Sequence, residues 1–300
     1  MDNLIHHLKK TQSCPLCKNQ EFSIIHQINS YQIIQCNHCR LIFAELNLPE
    51  KQQNQFLKQI YSEQYFSTDS SDSDAKKLGY ERDYFQYKGE EKIVNAHRRL
   101  FVIEKRVPEK GRILDIGCAG GFFLKVARER GWQPYGLELA VAAAEFARTQ
   151  FRLDVKTGDF ETVDLPKNFY NVITAWDVIE HILNPVRFIE KVKKLLVPGG
   201  LLVLGTPNVG SLAYLIRRQH WPILKPPEHL FYFSPITLEK LLKTQFEDVK
   251  IVVSFPPFFK VQPSLKAFLK RVLYQGFNYV AHIIRRGEYL IAYAKKQRER

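Results

Sequence analysis

Four of the five cysteines in this 300-residue chain form two Cys-x-x-Cys pairs, Cys14 with Cys17 and Cys36 with Cys39. Two such pairs supply four thiolates, which complete the tetrahedral shell that a structural zinc ion prefers and leave no position for water. Disulfides are disfavoured in a reducing cytosol, and a redox role is disfavoured because the pair is duplicated. His38 could replace one thiolate, but four cysteines suffice. The spacing therefore predicts a structural Zn²⁺ site near the N-terminus.

A glycine-rich turn indicates a second kind of chemistry, the binding of a nucleoside. The apolar strand 113–116 leads into a turn at 117–121 and a helix at 122–130, and the next strand ends at Glu138. Glycines let backbone amides approach a ligand closely, and the helix N-terminus presents unpaired N–H groups. A carboxylate at the second strand end can accept hydrogen bonds from both ribose hydroxyls. This order of elements predicts a nucleoside lying across two strand ends.

The positions of the glycines disfavour one class of nucleoside-binding enzyme. The nicotinamide fingerprint has glycine at its first, third and sixth positions, where this chain has Gly117, Ala119 and Phe122. A dehydrogenase is therefore disfavoured. The fifth cysteine, Cys118, lies inside the turn, where we expect it to contribute a small side chain and a backbone amide rather than a nucleophile.

Asp115 followed by Gly117-Cys118-Ala119-Gly120-Gly121 resembles the first motif of the class I S-adenosylmethionine-dependent methyltransferases, an acidic residue before Gly-x-Gly-x-Gly. Ala119 departs from that motif, although alanine fits a tight turn if its φ stays negative. The resemblance continues over residues 111–206. It includes Gly158-Asp159-Phe160, where the family places an acidic residue against the adenine amino group, and the segment 178–181 after the fourth strand.

The resemblance implies both a fold and a cofactor site. The fold is a doubly wound, Rossmann-like α/β domain with a seven-stranded, mostly parallel sheet and an N-terminal zinc ribbon. The predicted domains are a zinc ribbon at 1–48, a helical cap or linker at 49–108, and a cofactor-binding domain at 109–296 with insertions at 207–233 and 255–286. The implied contacts to S-adenosylmethionine are Asp115, Gly117, Cys118, Ala119, Gly121, Glu138, Leu139, Asp159, Phe160, Trp176 and Asp177.

Methyl transfer from a sulfonium to a hydroxyl or carbon acid requires alignment of the reactants and removal of a proton. A base must lie near the ends of the fourth and fifth strands, where the candidates are Asp177, Glu180, His181, Glu228 and His229. His229 is preferred because histidine titrates near neutrality. With Glu228 orienting it, the pair resembles an arrangement in sugar methyltransferases that also carry a zinc ribbon. His181 is the second candidate, with a purely structural role in its loop as the alternative.

The preferred function is methyl transfer to oxygen, or with less support to carbon, of a small molecule such as a sugar, a lipid-linked glycan or a quinone-like metabolite. The alternative is an RNA methyltransferase, because the net charge of +13 and a zinc ribbon both suit phosphate contacts. Against base-amino chemistry, the fourth strand ends at Ala175-Trp176-Asp177 and lacks an Asn/Asp-Pro-Pro-aromatic segment. A non-catalytic nucleoside-binding module is disfavoured because Asp115, Glu138 and Asp159 are all intact.

The same positive charge predicts attraction to anionic partners without identifying them. The N-terminal residues lack the apolar core of a signal peptide, and no apolar run reaches the length of a membrane span, so a cytoplasmic location is expected. The stretch 264–286 has apolar residues at helical spacing and only basic charges. Peripheral contact with an anionic membrane and packing on the same domain both stay open, as does contact with nucleic acid.

Overall fold

A computed structural model describes residues 13–46, 89–254, 281 and 283–298. The predictions for 49–88, and for most of the insertion 255–286 with its basic stretch, lie outside the described residues. Within the described ranges, no helix combines the length and the apolar character that a membrane crossing requires.

The described part of the chain forms two sheets, with helices around the larger one. In chain order the elements are β1 (Phe22–Ile28), β2 (Tyr31–Cys36), β3 (Ile42–Ala44), α1 (Gly89–Glu104), β4 (Arg112–Ile116), α2 (Phe122–Glu129), β5 (Gln133–Glu138), α3 (Val141–Phe151), β6 (Asp154–Thr157), β7 (Tyr170–Trp176), α4 (Pro185–Leu195), β8 (Leu196–Pro207), α5 (Leu212–Arg217), β9 (Phe231–Tyr232), α6 (Pro235–Leu242), β10 (Asp248–Ser254) and β11 (Tyr289–Lys295). Single 3-10 turns lie at Ile179–His181 and Arg218–His220.

The larger sheet has the strand order β10-β11-β8-β7-β4-β5-β6. Strands β4 to β8 of this sheet run parallel to one another, while β11 is antiparallel to both β8 and β10. The central strands are predominantly apolar, because helices cover both faces of a parallel sheet. Val172, Ile173 and Leu202 are all fully buried. The seven-stranded, mostly parallel, doubly wound fold expected from the sequence is confirmed.

The helices on this sheet begin where local chemistry predicts. Asn184 caps α4, since its side chain accepts a hydrogen bond from the N–H of Arg187 at 3.1 Å, and Pro185 occupies the first helical position. Ser234 and Thr237 form a reciprocal capping box at the start of α6. These two caps fix how the chain enters α4 and α6.

The smaller sheet has the order β1-β2-β3-β9 and carries the two cysteine pairs, as in a zinc ribbon. Its fourth strand comes from the insertion after β8, since Ile42 pairs with Tyr232 and Phe43 with Phe231. The rings of Phe43 and Phe231 lie 5.9 Å apart. The ribbon is therefore attached to the segment 226–234 through main-chain pairing as well as side-chain packing.

Candidate active site

The carboxyl ends of β4, β5, β6 and β7 meet at one edge of the larger sheet and open onto a cavity of about 650 Å³. Ligands of open α/β sheets bind at this edge, because loops from several strands converge there. The predicted cofactor residues that line the cavity are Asp115, Gly117, Cys118, Ala119, Glu138, Leu139, Asp159, Phe160, Trp176 and Asp177. The predicted catalytic residues His181, Glu228 and His229 line the same cavity.

Gly121 is the predicted cofactor residue that does not line the cavity. It stands at the N-cap of α2 with φ 77°, where an added Cβ would lie 2.7 Å from Leu153 Cδ1 and 2.8 Å from the Cβ of Ala147. Glycine is needed there because both the backbone conformation and the space exclude a side chain. Its place in the motif reflects packing of the helix start against α3.

Ala119 differs from the sequence expectation. Its φ is 46°, in the left-handed region, so the condition of a negative φ is not met. The strain is held by the surrounding contacts, because the Ala119 N–H donates a hydrogen bond to Glu138 Oε2 at 2.8 Å. The family's preference for glycine at this position has its physical reason in this φ.

Glu138 joins the turn to the next helix. Besides Ala119, it binds the N–H of Ala140, which donates to Oε1 at 2.9 Å. The side chain is buried, and burial raises the pKa of this carboxyl above its usual value. A carboxylate has about four lone-pair sites, so acceptor capacity remains for a donor from a ligand. Contact with ribose hydroxyls stays a prediction.

The β6 end supplies a flat apolar wall. Phe160 is buried, and its ring lies 4.8 Å from that of Phe188, while Lys191 Nζ lies 4.9 Å from the Phe160 ring centroid. Asp159 Oδ1 accepts the N–H of Glu161 at 2.9 Å, which shapes the turn and keeps the carboxylate at the cavity rim. The Phe160 ring suits contact with an adenine ring, and the Asp159 carboxylate suits the amino group of that ring. Both contacts stay predictions.

Arg99 in α1 introduces a cation that the sequence did not single out. Its guanidinium lies 4.1 Å from the Trp176 ring and 4.0 Å from the Asp177 carboxylate, whose side chain is about half exposed. Lys92, Asn95 and Arg99 recur at spacings of three and four residues, so they share one helix face, and all three line the cavity. This spacing is the sequence feature from which a shared polar helix face could have been predicted.

At the opposite end of the cavity, His181 and His229 face one another with ring centroids 4.8 Å apart. His181 Nδ1 donates to the carbonyl oxygen of Glu228, and His229 Nδ1 donates to that of Ile223, both at 2.9 Å. A carbonyl can only accept, so each neutral ring carries its proton on Nδ1 and its lone pair on Nε2. Burial lowers the pKa of both imidazoles below the ordinary value, so both are neutral at pH 7. The near-neutral pKa for which His229 was preferred in the sequence is therefore not found, because burial makes the ring a weaker base.

The carbonyl of Ile223 was not expected as the group that orients His229. Sequence reasoning assigned this role to Glu228, and that assignment stays a prediction. What the structure adds is a backbone acceptor at Nδ1, supplied by the same insertion six residues earlier. A backbone contact of this kind has no sequence signature.

Glu180 is the most deeply buried carboxylate at this end, with 1% of its surface exposed. Its Oε2 accepts the hydroxyl of Thr206 at 3.0 Å, whereas Oε1 has no hydrogen-bond partner among the described residues. Burial and the nearby Asp177 carboxylate raise the pKa of this carboxyl well above its usual range. An uncompensated buried oxygen is rare in proteins and calls for a ligand or another explanation.

The two cysteine pairs lie together at the ribbon end of the smaller sheet. Cys14 Sγ is 3.5 Å from Cys39 Sγ, and Cys17 Sγ is 3.5 Å from Cys36 Sγ. All four sulfur atoms lie within 4.8 Å of one another. The arrangement is consistent with a zinc ribbon.

Replacing Glu138 by Gln tests the carboxylate that binds the glycine turn and the start of α3. The amide keeps one acceptor but turns an NH₂ group toward a backbone N–H, so one of the two loop hydrogen bonds is lost. Hydrogen bonds to charged groups contribute roughly 1.5–3 kcal/mol. We therefore expect affinity for S-adenosylhomocysteine, measured by calorimetry, to fall about 10- to 100-fold. Glu145→Gln, an exposed change of the same charge on α3, is the control, and equal affinity in both variants would refute the role of Glu138.

Replacing Asp115 by Asn gives a pH-dependent prediction. Asp115 is 3% exposed and accepts the Thr174 hydroxyl at 2.6 Å, and burial raises its pKa to about 7. Between pH 4 and pH 7 the folded state therefore binds a proton that the unfolded state has released, so this carboxyl lowers stability as pH rises through that window.

The Asn variant is the neutral counterpart and lacks this loss. In urea denaturation of ligand-free protein, we expect Asp115→Asn and wild type to be equally stable near pH 4. Above pH 7 the variant should be more stable by about 1–3 kcal/mol. A difference that does not change with pH would contradict this account.

Comparisons with known proteins agree with this geometry. A methyltransferase-domain family model matches residues 85–250, more than half of the chain. The ubiquinone biosynthesis O-methyltransferase of Coxiella burnetii is 28% identical over 123 residues, 39% of this chain and 53% of the relative. The protein of the same name from Vibrio cholerae is 30% identical over 129 residues, with coverage of 41% and 53%. The chain thus spans about half the length of the curated relatives it matches.

A solved structure, a SAM-dependent methyltransferase from Archaeoglobus fulgidus, superposes with a TM-score of 0.50 at 23% identity, over 71% of this chain and 99% of that one. This likeness shows a shared fold. Together with the family match and the glycine turn at the sheet edge, it leads to one conclusion: the chain belongs to the methyltransferase-domain family and has the fold of a SAM-dependent methyltransferase.

Proposed function

We propose that this protein transfers the methyl group of S-adenosylmethionine to a hydroxyl oxygen of a small molecule. The observation that carries the proposal is that one cavity contains both the glycine turn with its carboxylates and the two facing histidines. A volume of about 650 Å³ lies within the range of small-molecule sites, roughly 300–1,000 Å³. Donor and acceptor can therefore meet inside it.

The part of the cavity at Glu138, Asp159 and Phe160, here called the donor end, has the chemical groups that the cofactor requires. We propose that Glu138 binds the ribose hydroxyls and that Asp159 and Phe160 bind the adenine ring. The methionine end of the cofactor is a zwitterion, and Arg99 beside Asp177 offers one charge of each sign at 4.0 Å separation. Opposite charges held this way would bind the amino and carboxylate groups and direct the sulfonium toward the acceptor end.

The part of the cavity at Glu180, His181 and His229, here called the acceptor end, has two neutral histidines that can accept a proton. Methyl transfer forms an O–CH₃ bond as the CH₃–S bond breaks, and the acceptor hydroxyl releases a proton in the process. A neutral imidazole with its lone pair on Nε2 is a competent base for that proton, and His229 is our first candidate, followed by His181. The low pKa of each ring keeps it unprotonated throughout the neutral range.

The relatives named ubiquinone biosynthesis O-methyltransferases support oxygen as the acceptor atom, although the similarity covers only about half of their length. Quinol-like and sugar hydroxyls are both within this proposal. An RNA acceptor is the competing outcome, based on the net charge of +13.

Labelled S-adenosylmethionine, incubated with separate soluble-metabolite, lipid and RNA fractions, tests the proposal directly. We expect label in a metabolite or lipid product as an acid- and base-stable methyl ether. His229→Ala should lower turnover at least about tenfold, the lower range for a lost acid–base group. Its affinity for S-adenosylhomocysteine should stay near wild type, with exposed His220→Ala as control. Label confined to RNA would overturn the small-molecule assignment.

We also propose that Cys14, Cys17, Cys36 and Cys39 bind a structural Zn²⁺. Zn–S bonds of about 2.3 Å in a tetrahedron imply sulfur atoms roughly 3.8 Å apart, close to the two separations of 3.5 Å. Four thiolates close the shell, so the ion would have no open position for chemistry. Its role would be to hold the ribbon, and with it the strand β9.

Removing this zinc should affect the acceptor end more than the donor end. Because β3 pairs with β9, we expect Cys36→Ser to lose the tightly bound zinc measured by mass spectrometry and to raise the acceptor KM. Affinity for S-adenosylhomocysteine should change less than about threefold, since no ribbon residue lines the donor end in the described part of the chain. Cys118→Ser is the control for zinc content. Full zinc retention in Cys36→Ser would reject the proposed site.

A further inference from the structure

Three side chains at the acceptor end offer ligand atoms to a common point. Glu180, His181 and His229 each place one potential ligand atom within 4.8 Å of the other two. A tetrahedral site with bonds of about 2.1 Å needs roughly 3.4 Å between ligand atoms, so small rotations of the side chains would close the set. Two imidazoles and one carboxylate are a ligand set typical of first-row divalent metals.

The two histidines are oriented as metal ligands usually are. In each ring Nδ1 donates to a main-chain carbonyl at 2.9 Å, which fixes both the tautomer and the ring plane. Metal-binding histidines commonly make this kind of hydrogen bond with the nitrogen that does not bind the metal. The ligand atom is therefore Nε2 in both His181 and His229.

Glu180 supplies the independent observation. It is 1% exposed and lines the cavity, and its Oε1 lacks a hydrogen-bond partner among the residues that the structure describes. Its other oxygen is held by Thr206 at 3.0 Å, so the carboxylate is anchored beside the two histidines while Oε1 has no donor among the described residues. Leaving a buried carboxylate oxygen without a partner costs about 1–3 kcal/mol or more, and a cation would remove that cost.

We propose that Glu180, His181 and His229 bind a divalent first-row metal ion whose remaining positions face the cavity and accept the hydroxyl of the methyl acceptor. This rests on the proposed function for its catalytic meaning. The bound hydroxyl gives its proton to water, the resulting oxygen anion attacks the methyl carbon, and the electron pair of the CH₃–S bond returns to sulfur, releasing neutral S-adenosylhomocysteine. His229 then acts as a ligand rather than as the base itself.

Cobalt titration tests the site without any methyl donor or acceptor. Zinc-loaded protein, dialysed to remove weakly held metal, is titrated with Co²⁺ by calorimetry and visible absorption. We expect one Co²⁺ per chain with d–d bands but without sulfur-to-metal charge transfer. Affinity should fall at least about tenfold in Glu180→Gln and in His229→Gln, while exposed His220→Gln should match wild type. Unchanged zinc content and thermal midpoint identify variants that have folded.

The outcomes are distinguishable from those of the function test. Absence of a second metal, sulfur charge transfer from Co²⁺ in the cysteine site, or equal affinity in all variants would overturn the proposal. If Co²⁺ binds as expected but the metal-free protein transfers methyl groups at the full rate, the metal site stands and its role in activating the acceptor is rejected. Binding with no detectable transfer would leave the site intact and count against the proposed function alone.

Discussion

The acceptor end of the cavity depends on the two main-chain hydrogen bonds of Leu230. Its N–H donates to the carbonyl of Glu180 at 2.8 Å, and its carbonyl accepts the N–H of Ala44 at 2.8 Å. Leu230 is 2% exposed, so both bonds are shielded from water. One buried residue thereby joins the turn after β7, the segment 226–234 and the ribbon. His229 directly precedes Leu230, and His181 directly follows Glu180. The separation of the two histidines is therefore set by this backbone pairing.

The donor end depends on a different constraint, the parallel alignment of β4, β5, β6 and β7. Parallel strands all end at the same edge, so side chains far apart in sequence meet there without any further device. This alignment requires the burial of carboxylates: Asp115 and Glu138 are both buried, and the pKa of each is raised. Such perturbed groups are concentrated at functional sites, where a ligand supplies the compensating donors or charge.

Much of this arrangement could be predicted from the sequence because it rests on local patterns. The glycine turn, the strand ending at Glu138 and the Asn184-Pro185 cap each encode structure over a few residues. The pairing of β3 with β9 could not be predicted, because it joins segments about 190 residues apart and two residues of strand carry no periodicity. Arg99 was not singled out in the sequence, because only the packing of α1 over the sheet edge brings it to Trp176.

The left-handed φ of Ala119 was also beyond the sequence. Sterics disfavour this conformation for alanine, so it exists because Glu138, Leu137 and the helix start determine the turn together. Local rules thus predicted the elements of the site, whereas tertiary contacts decided its strained residue and its additional cation.

A crystal structure with S-adenosylhomocysteine tests the central claim most directly, namely that one cavity joins a donor end to an acceptor end. The account predicts the ribose at Glu138 and the sulfur atom pointing toward His181 and His229, with room for an acceptor between them. Density for the nucleoside elsewhere, or a sulfur atom facing away from the two histidines, would contradict it.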